Sequence, residues 1–110
     1  YLKPPNKNID ILNRSLLLEE PDDDSAINLP IDHFLRSLAQ DQSEKSISII
    51  LSGTGTDGTL GSKAIIDAGG MTMVQEEQQA EYSGMPRSAI NTGLIDFILP
   101  VEKMPEELIE

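Results

Sequence analysis

The chain has no cysteine and no tryptophan, a single histidine, and eight lysines plus arginines against nineteen aspartates plus glutamates in 110 residues. Without cysteine there is no disulfide framework and no thiolate metal site, a usage that agrees with a reducing compartment. His33 stands alone, and the acids beside Pro21 lack the glycine and spacing of a calcium loop, so no metal and no cofactor are expected. The shortage of cations leaves a formal net charge of −11. Affinity for phosphate backbones comes from Lys and Arg displacing counterions, so neither nucleic acid nor an anionic membrane surface is an expected partner. No apolar run approaches the roughly 20 residues that cross a bilayer, and no signal-peptide pattern opens the chain. A soluble, cytoplasmic protein without membrane insertion is expected.

What is present is enough for one ordered domain. Apolar residues make up 38% of the chain, and a domain of this length buries roughly two-thirds of the surface its unfolded chain exposes. Part of the negative charge sits in Glu19-Glu20-Pro21-Asp22-Asp23-Asp24, which reads as a solvated loop. The chain opens on Tyr1 rather than Met and is expected to be a piece of something longer.

Residues 9–12 and 15–18 flank the polar pair Asn13-Arg14 and read as a β-hairpin. Pro30 opens a helix whose apolar residues Ile31, Phe34, Leu35, Leu38 and Ala39 define one buried face. Residues 47–51 are a mostly β-branched run without clean alternation, as expected of a strand covered on both sides. Leu60, Ala64, Ile65 and Ala68 repeat at helical spacing before the stop Gly69-Gly70. Met71-Thr72-Met73-Val74 is the next strand, with its methionines read as core. A short helix from Met85-Pro86 to Ile90, a strand over residues 95–99 and a terminal helix over residues 101–109 complete the order. This predicts an α/β fold, a doubly wound and mostly parallel sheet with flanking helices and a short β-hairpin.

Between the first of those strands and its helix lies Leu51-Ser52-Gly53-Thr54-Gly55-Thr56-Asp57-Gly58. It spells G-x-G-x-x-G, and Glu76 and Glu77 end the next strand where a ribose-binding acid would belong, so dinucleotide binding is one reading. Against it, Asp57 would sit where the helix start should receive pyrophosphate, at a cost of about 1 to 4 kcal/mol per charge pair. The other reading is that this helix end holds Asp57 itself, either as a simple N-cap or as the fixed carboxylate that orients a histidine base. Gln75 and Glu76 fall at a strand end, where they rim a groove or stand in solvent. No Ser lies in G-x-S-x-G, and His33 reads as a partly exposed helix residue with no catalytic role.

Several stretches together resemble the C-terminal part of the catalytic domain of CheB-type protein-glutamate methylesterases. They are Tyr1-Leu2-Lys3-Pro4-Pro5, residues 30–39, the loop at residues 51–58 with Gly61, Gly69-Gly70 with Gln75, and Met85-Pro86 with Ala89, Gly93 and Leu99-Pro100. The resemblance covers nearly the whole chain, residues 1–110, in the family's order. It implies hydrolysis of receptor glutamate methyl esters and deamidation of receptor glutamines, with methyl-accepting chemotaxis receptors as partners and a receiver or methyltransferase domain possible in the same protein. It also implies that Asp57 is the aspartate of a Ser-His-Asp triad whose serine and histidine lie upstream of Tyr1, so that this piece by itself is inactive. Gly53, Thr54, Gly55, Thr56 and Gly58 would form the active-site loop. Thr54 stands where the family commonly carries Met. A non-catalytic regulatory or scaffolding module of a sensory fusion protein is the alternative.

Overall fold

A computed structural model of the chain describes residues 2–3, 7–19 and 29–109. The acids at residues 20–24 and the residues Tyr1, Pro4 and Pro5 lie outside that set.

The hairpin forms as the sequence predicts, one residue longer in each strand: β1 (Asn8–Leu12) pairs antiparallel with β2 (Ser15–Glu19). Its turn places Asn13 at φ 50° and Arg14 at φ 68°, the left-handed pair that suits the twist of a two-residue hairpin. Asn tolerates that region and Arg does so less readily. The turn is fastened from outside, because the Asp41 carboxylate accepts the backbone N–H of Asn13 at 2.6 Å and of Arg14 at 3.0 Å.

Asp41 belongs to α1 (Pro30–Gln42), the helix opened by the proline, which packs on β1 and on α2. Farther along β1, the Ser37 hydroxyl accepts the Ile11 N–H at 2.8 Å and donates to the Ile11 carbonyl at 3.0 Å. Helix and hairpin are thereby joined through backbone polar groups as well as through apolar packing.

The remainder is a β-α-β-α-β unit. Strands β3 (Ile47–Ile50), β4 (Met71–Gln75) and β5 (Phe97–Leu99) lie parallel in the order β3-β4-β5, connected by α2 (Thr59–Asp67) and α3 (Gly84–Ile90). A 3-10 turn (Val101–Lys103) leads into α4 (Met104–Ile109). The α/β class, the parallel sheet, its flanking helices and the hairpin are as read from the sequence. No helix among the described residues is long and apolar enough to cross a membrane.

Register puts Ser48 opposite Thr72 and Ile50 opposite Val74, so these four share one face of the sheet. Ile50 and Val74 close there on Leu35 and Ala39 of α1, Ile65 of α2 and Ala89 of α3 to form the core. The Ser48 and Thr72 hydroxyls, both buried, pair at 2.7 Å. Met73 is fully buried, as its reading as core requires. The expectation that β3 is covered on both faces is not met among the described residues: Ile47 and Ile49 are 47% and 38% exposed. β3 has a strand neighbour on one side only, whereas β4, which lies between two strands, buries Thr72, Met73, Val74 and Gln75 in succession.

Candidate active site

β3 ends at Ile50, and residues 51–58 turn the chain at the carboxyl edge of the sheet before α2 begins. Asp57, half-buried in that loop, is held by two backbone donors: its Oδ1 accepts the Asp32 N–H at 2.8 Å and its Oδ2 the Ile31 N–H at 3.0 Å. Both belong to the first turn of α1, whose leading N–H groups have no partners inside their own helix. The amino end of a helix is also a favourable place for negative charge. Asp57 is thus anchored by a helix start, but by that of α1. The expectation that the following helix would hold it is corrected. α2 starts instead from Gly58 at φ 92°, which offers no side-chain cap.

The first turn of α2 is served by Asp32. This buried carboxylate accepts the Gly61 N–H at 2.7 Å through its Oδ1. The helices cross close enough for this because position 61 is glycine: a Cβ there would stand 2.7 Å from Leu35 Cβ and 3.0 Å from Asp32 Cα. The amino end of α2, where a dinucleotide would place its pyrophosphate, is therefore already taken by an anionic side chain. Glu77, one of the two acids suited to a ribose, is 3.4 Å from Arg87. The loop serves Asp57 rather than a phosphate.

On its other side the loop is tied to the segment after β4. Gly53 donates its N–H to the Tyr82 carbonyl and accepts the Met85 N–H, each at 2.9 Å. The Ser52 hydroxyl accepts the Tyr82 N–H at 2.9 Å and lies 3.3 Å from the Tyr82 carbonyl. The Ser88 Oγ stands 2.8 Å from the Gly84 carbonyl and 3.3 Å from that of Gly55. Thr54, Gly55 and Thr56 are exposed along the loop's outer surface, while Gly58 is buried beneath it. Gln75, read from sequence as a rim or solvent residue, is instead buried at the end of β4, where its Oε1 accepts the Ser52 N–H at 2.9 Å.

The result is a carboxylate fixed in orientation, half-exposed at the edge of a parallel sheet where α/β folds place their chemistry. Each of its oxygens keeps a lone pair beyond the one given to the backbone, so it can still accept a hydrogen bond from an imidazole N–H. His33 does not supply that imidazole, because its Nε2 lies 2.6 Å from Asp10 on the hairpin.

The CheB methylesterase family model matches residues 1–108 of this sequence. The chain belongs to the CheB methylesterase family. Among similar proteins, it is 41% identical over 104 residues to an uncharacterized 104.1 kDa protein in the hypE 3′ region of Rhodobacter capsulatus, covering 94% of this chain and 11% of that one. It is 37% identical over 111 residues to the protein-glutamate methylesterase/protein-glutamine glutaminase of group 3 operon of Rhizobium meliloti strain 1021, covering 98% of this chain and 31% of the relative. The crystal structure of the Thermotoga maritima CheB methylesterase catalytic domain superposes with a TM-score of 0.85 at 31% identity, covering 99% of this chain and 60% of that one. The chain thus spans about a third or less of these curated relatives.

Within this CheB-family fold, Asp32 and Gln75 are the supporting residues that sequence reasoning did not assign. Asp32 carried one usable signal, an acid in the first turn of a helix behind Pro30. Gln75 was marked only by its place at a strand end and in the family resemblance, since its contact with Ser52 depends on how residues 51–58 fold back.

Proposed function

We propose that this chain forms the aspartate-bearing part of a cytoplasmic protein-glutamate methylesterase/protein-glutamine deamidase, with Asp57 as the orienting member of a Ser-His-Asp triad. The carrying observation is the double backbone clamp on Asp57 at 2.8 and 3.0 Å, which fixes a carboxylate while leaving acceptor capacity for an imidazole. The serine and histidine come from outside these 110 residues. The histidine takes the serine proton as the hydroxyl attacks the ester carbonyl, then delivers it to the departing methanol. Water hydrolyses the acyl-serine by the same route. Asp57 holds the imidazole in the required tautomer and stabilises the imidazolium. Gly53, Thr54, Gly55, Thr56 and Gly58 shape the loop beside the reacting groups, and the substrates are methyl-accepting chemotaxis receptors.

The test is ester hydrolysis by the complete protein. Asp57→Asn should lower turnover by about 10³ to 10⁴, whereas the loss of one of its two backbone bonds should lower stability by only about 1 kcal/mol, and the 110-residue chain alone should be inactive. An unchanged rate removes Asp57 from the mechanism. The second reading, a non-catalytic module of a sensory fusion protein, draws support from the Rhodobacter relative, where the similar region is 11% of a much longer chain. Hydrolysis by the complete protein would decide against it.

A further inference from the structure

The hairpin and α1 bring together three ligand-type side chains far from Asp57 in chemistry. Register pairs Asp10 with Leu17 and Asn8 with Glu19, so Asp10 and Glu19 are diagonal neighbours on one face of the hairpin, a separation that long side chains bridge. α1 delivers His33 to the same point. Its Nε2 stands 2.6 Å from Asp10 Oδ1 and 3.7 Å from Glu19 Oε2, and ligand atoms of all three residues lie within 4.8 Å of one another. Around a divalent ion with bonds of about 2.0 to 2.2 Å, adjacent ligand atoms are about 3 to 3.6 Å apart. The two His33 distances bracket that range.

His33 pairs by distance with both carboxylates, but a hydrogen-bonded ion pair is not what the geometry shows. His33 Nε2 is closed off from solvent yet makes no hydrogen bond of good geometry, so Asp10 Oδ1, though near, lies off its N–H axis. The Asp10 and Glu19 carboxyls both approach that one nitrogen from the hairpin. Two acids and an imidazole nitrogen converge where a cation would satisfy all of them.

We propose that Asp10, Glu19 and His33 form a site for a divalent transition-metal ion that clamps the β1–β2 hairpin to the start of α1. The imidazole favours Zn²⁺ or Co²⁺ over the hard, oxygen-seeking Mg²⁺ and Ca²⁺. The three side chains are 22%, 49% and 36% exposed, respectively, so an ion can enter. They line a cleft of about 760 Å³ with Asp32 and Arg36, open enough for water to complete the shell. His33 follows directly on Ile31 and Asp32, so the ion would stiffen the helix turn that grips Asp57. It reaches the catalytic loop only through that turn.

The probe is Zn²⁺ alone, titrated calorimetrically into the complete, metal-free protein. One ion per chain should bind with micromolar affinity, and Co²⁺ should give the visible absorption of a nitrogen- and oxygen-ligated site. His33→Ala, and separately Glu19→Gln at the exposed end of β2, should each weaken binding about tenfold or more. Zn²⁺ should raise the unfolding temperature of the parent protein but not of His33→Ala. Absence of stoichiometric binding at sub-millimolar Zn²⁺, or binding that both variants leave unchanged, overturns the proposal. None of these readouts involves ester hydrolysis, so they stand apart from the fate of the triad.

Discussion

Asp32 and Asp57 exchange helix caps: Asp57 takes the N–H groups of Ile31 and Asp32 at the start of α1, and Asp32 takes the Gly61 N–H in the first turn of α2. A side-chain cap of this kind stabilises a helix by about 1 kcal/mol. The reciprocity adds something a single cap lacks. Neither helix start can shift without dislodging the carboxylate that serves the other, so the orientation of Asp57 inherits the rigidity of the α1–α2 crossing, where Leu35 meets Gly61.

Removing Asp32 should therefore cost more than a surface cap. Asp32→Ala strands the buried Gly61 N–H without an acceptor, a penalty of about 1 to 3 kcal/mol. Asp32→Asn keeps an oxygen in place and should lose roughly 1 kcal/mol. Denaturant midpoints of the two variants test the ordering, and amide exchange at Ile31 should quicken in the alanine variant. Equal midpoints for both variants and the parent would mean that the cap contributes nothing.

Acid should loosen the hairpin before it unfolds the domain. The Asp41 carboxylate accepts from Gln42 Nε2 as well as from the turn N–H groups. The Gln42 bond first and the Arg14 bond next hold its pKa below the ordinary aspartate value. A depressed folded pKa means stabilisation by the ionised form. That stabilisation is complete above the unfolded value of about 4 and is lost as pH falls through the lower folded value. Asp41 is in contact with solvent, so screening keeps the effect local. The amide resonances of Asn13 and Arg14 should shift together below about pH 4, and Asp41→Asn should abolish that titration. Resonances that stay fixed in the parent protein would show that the contact does not hold the turn.

Where the sequence could be read, its signals were local. Pro30 ahead of the stripe Ile31, Phe34, Leu35, Leu38, Ala39 marks α1, Gly69-Gly70 marks the end of α2, and the polar pair Asn13-Arg14 marks the turn. Asp57 could be singled out from its place between a strand and a helix, but the helix that holds it could not, because backbone N–H groups at Ile31 and Asp32 leave no signature in residue type. The open face of β3 was hidden for a related reason. An apolar run reads as covered on both sides whether or not Ile47 and Ile49 find neighbours. The proposed metal site could not be read from spacing along the chain either, because spacing cannot show a set assembled from the diagonal of a hairpin and one face of a helix. Asp10, Glu19 and His33 meet only after register and helix rotation are fixed.

Gln75 joins three loops at the carboxyl edge of the sheet. Its Oε1 accepts the Ser52 N–H at 2.9 Å, and its Nε2 donates to Gln79 Oε1 at 3.1 Å. That same Gln79 oxygen accepts the Val101 N–H at 2.7 Å, and Gln79 Nε2 donates to Glu102 at 2.7 Å. Gln75→Met preserves length and burial but leaves the Ser52 N–H unpaired and Gln79 Oε1 with the Val101 N–H as its one remaining donor. Ser52 and Gln79 are exposed, so the lost bonds cost about 0.5 to 1.5 kcal/mol each. The strain falls on the Gly53 turn rather than on the core, since Ile50, Ile65 and Val74 keep their neighbours. Faster amide exchange at Ser52 and Gly53, with exchange at Val74 unchanged, is the expected pattern. Were the methionine variant as stable as the parent and equally protected at Ser52, the loop would owe its shape to the contacts with Tyr82 and Met85 instead.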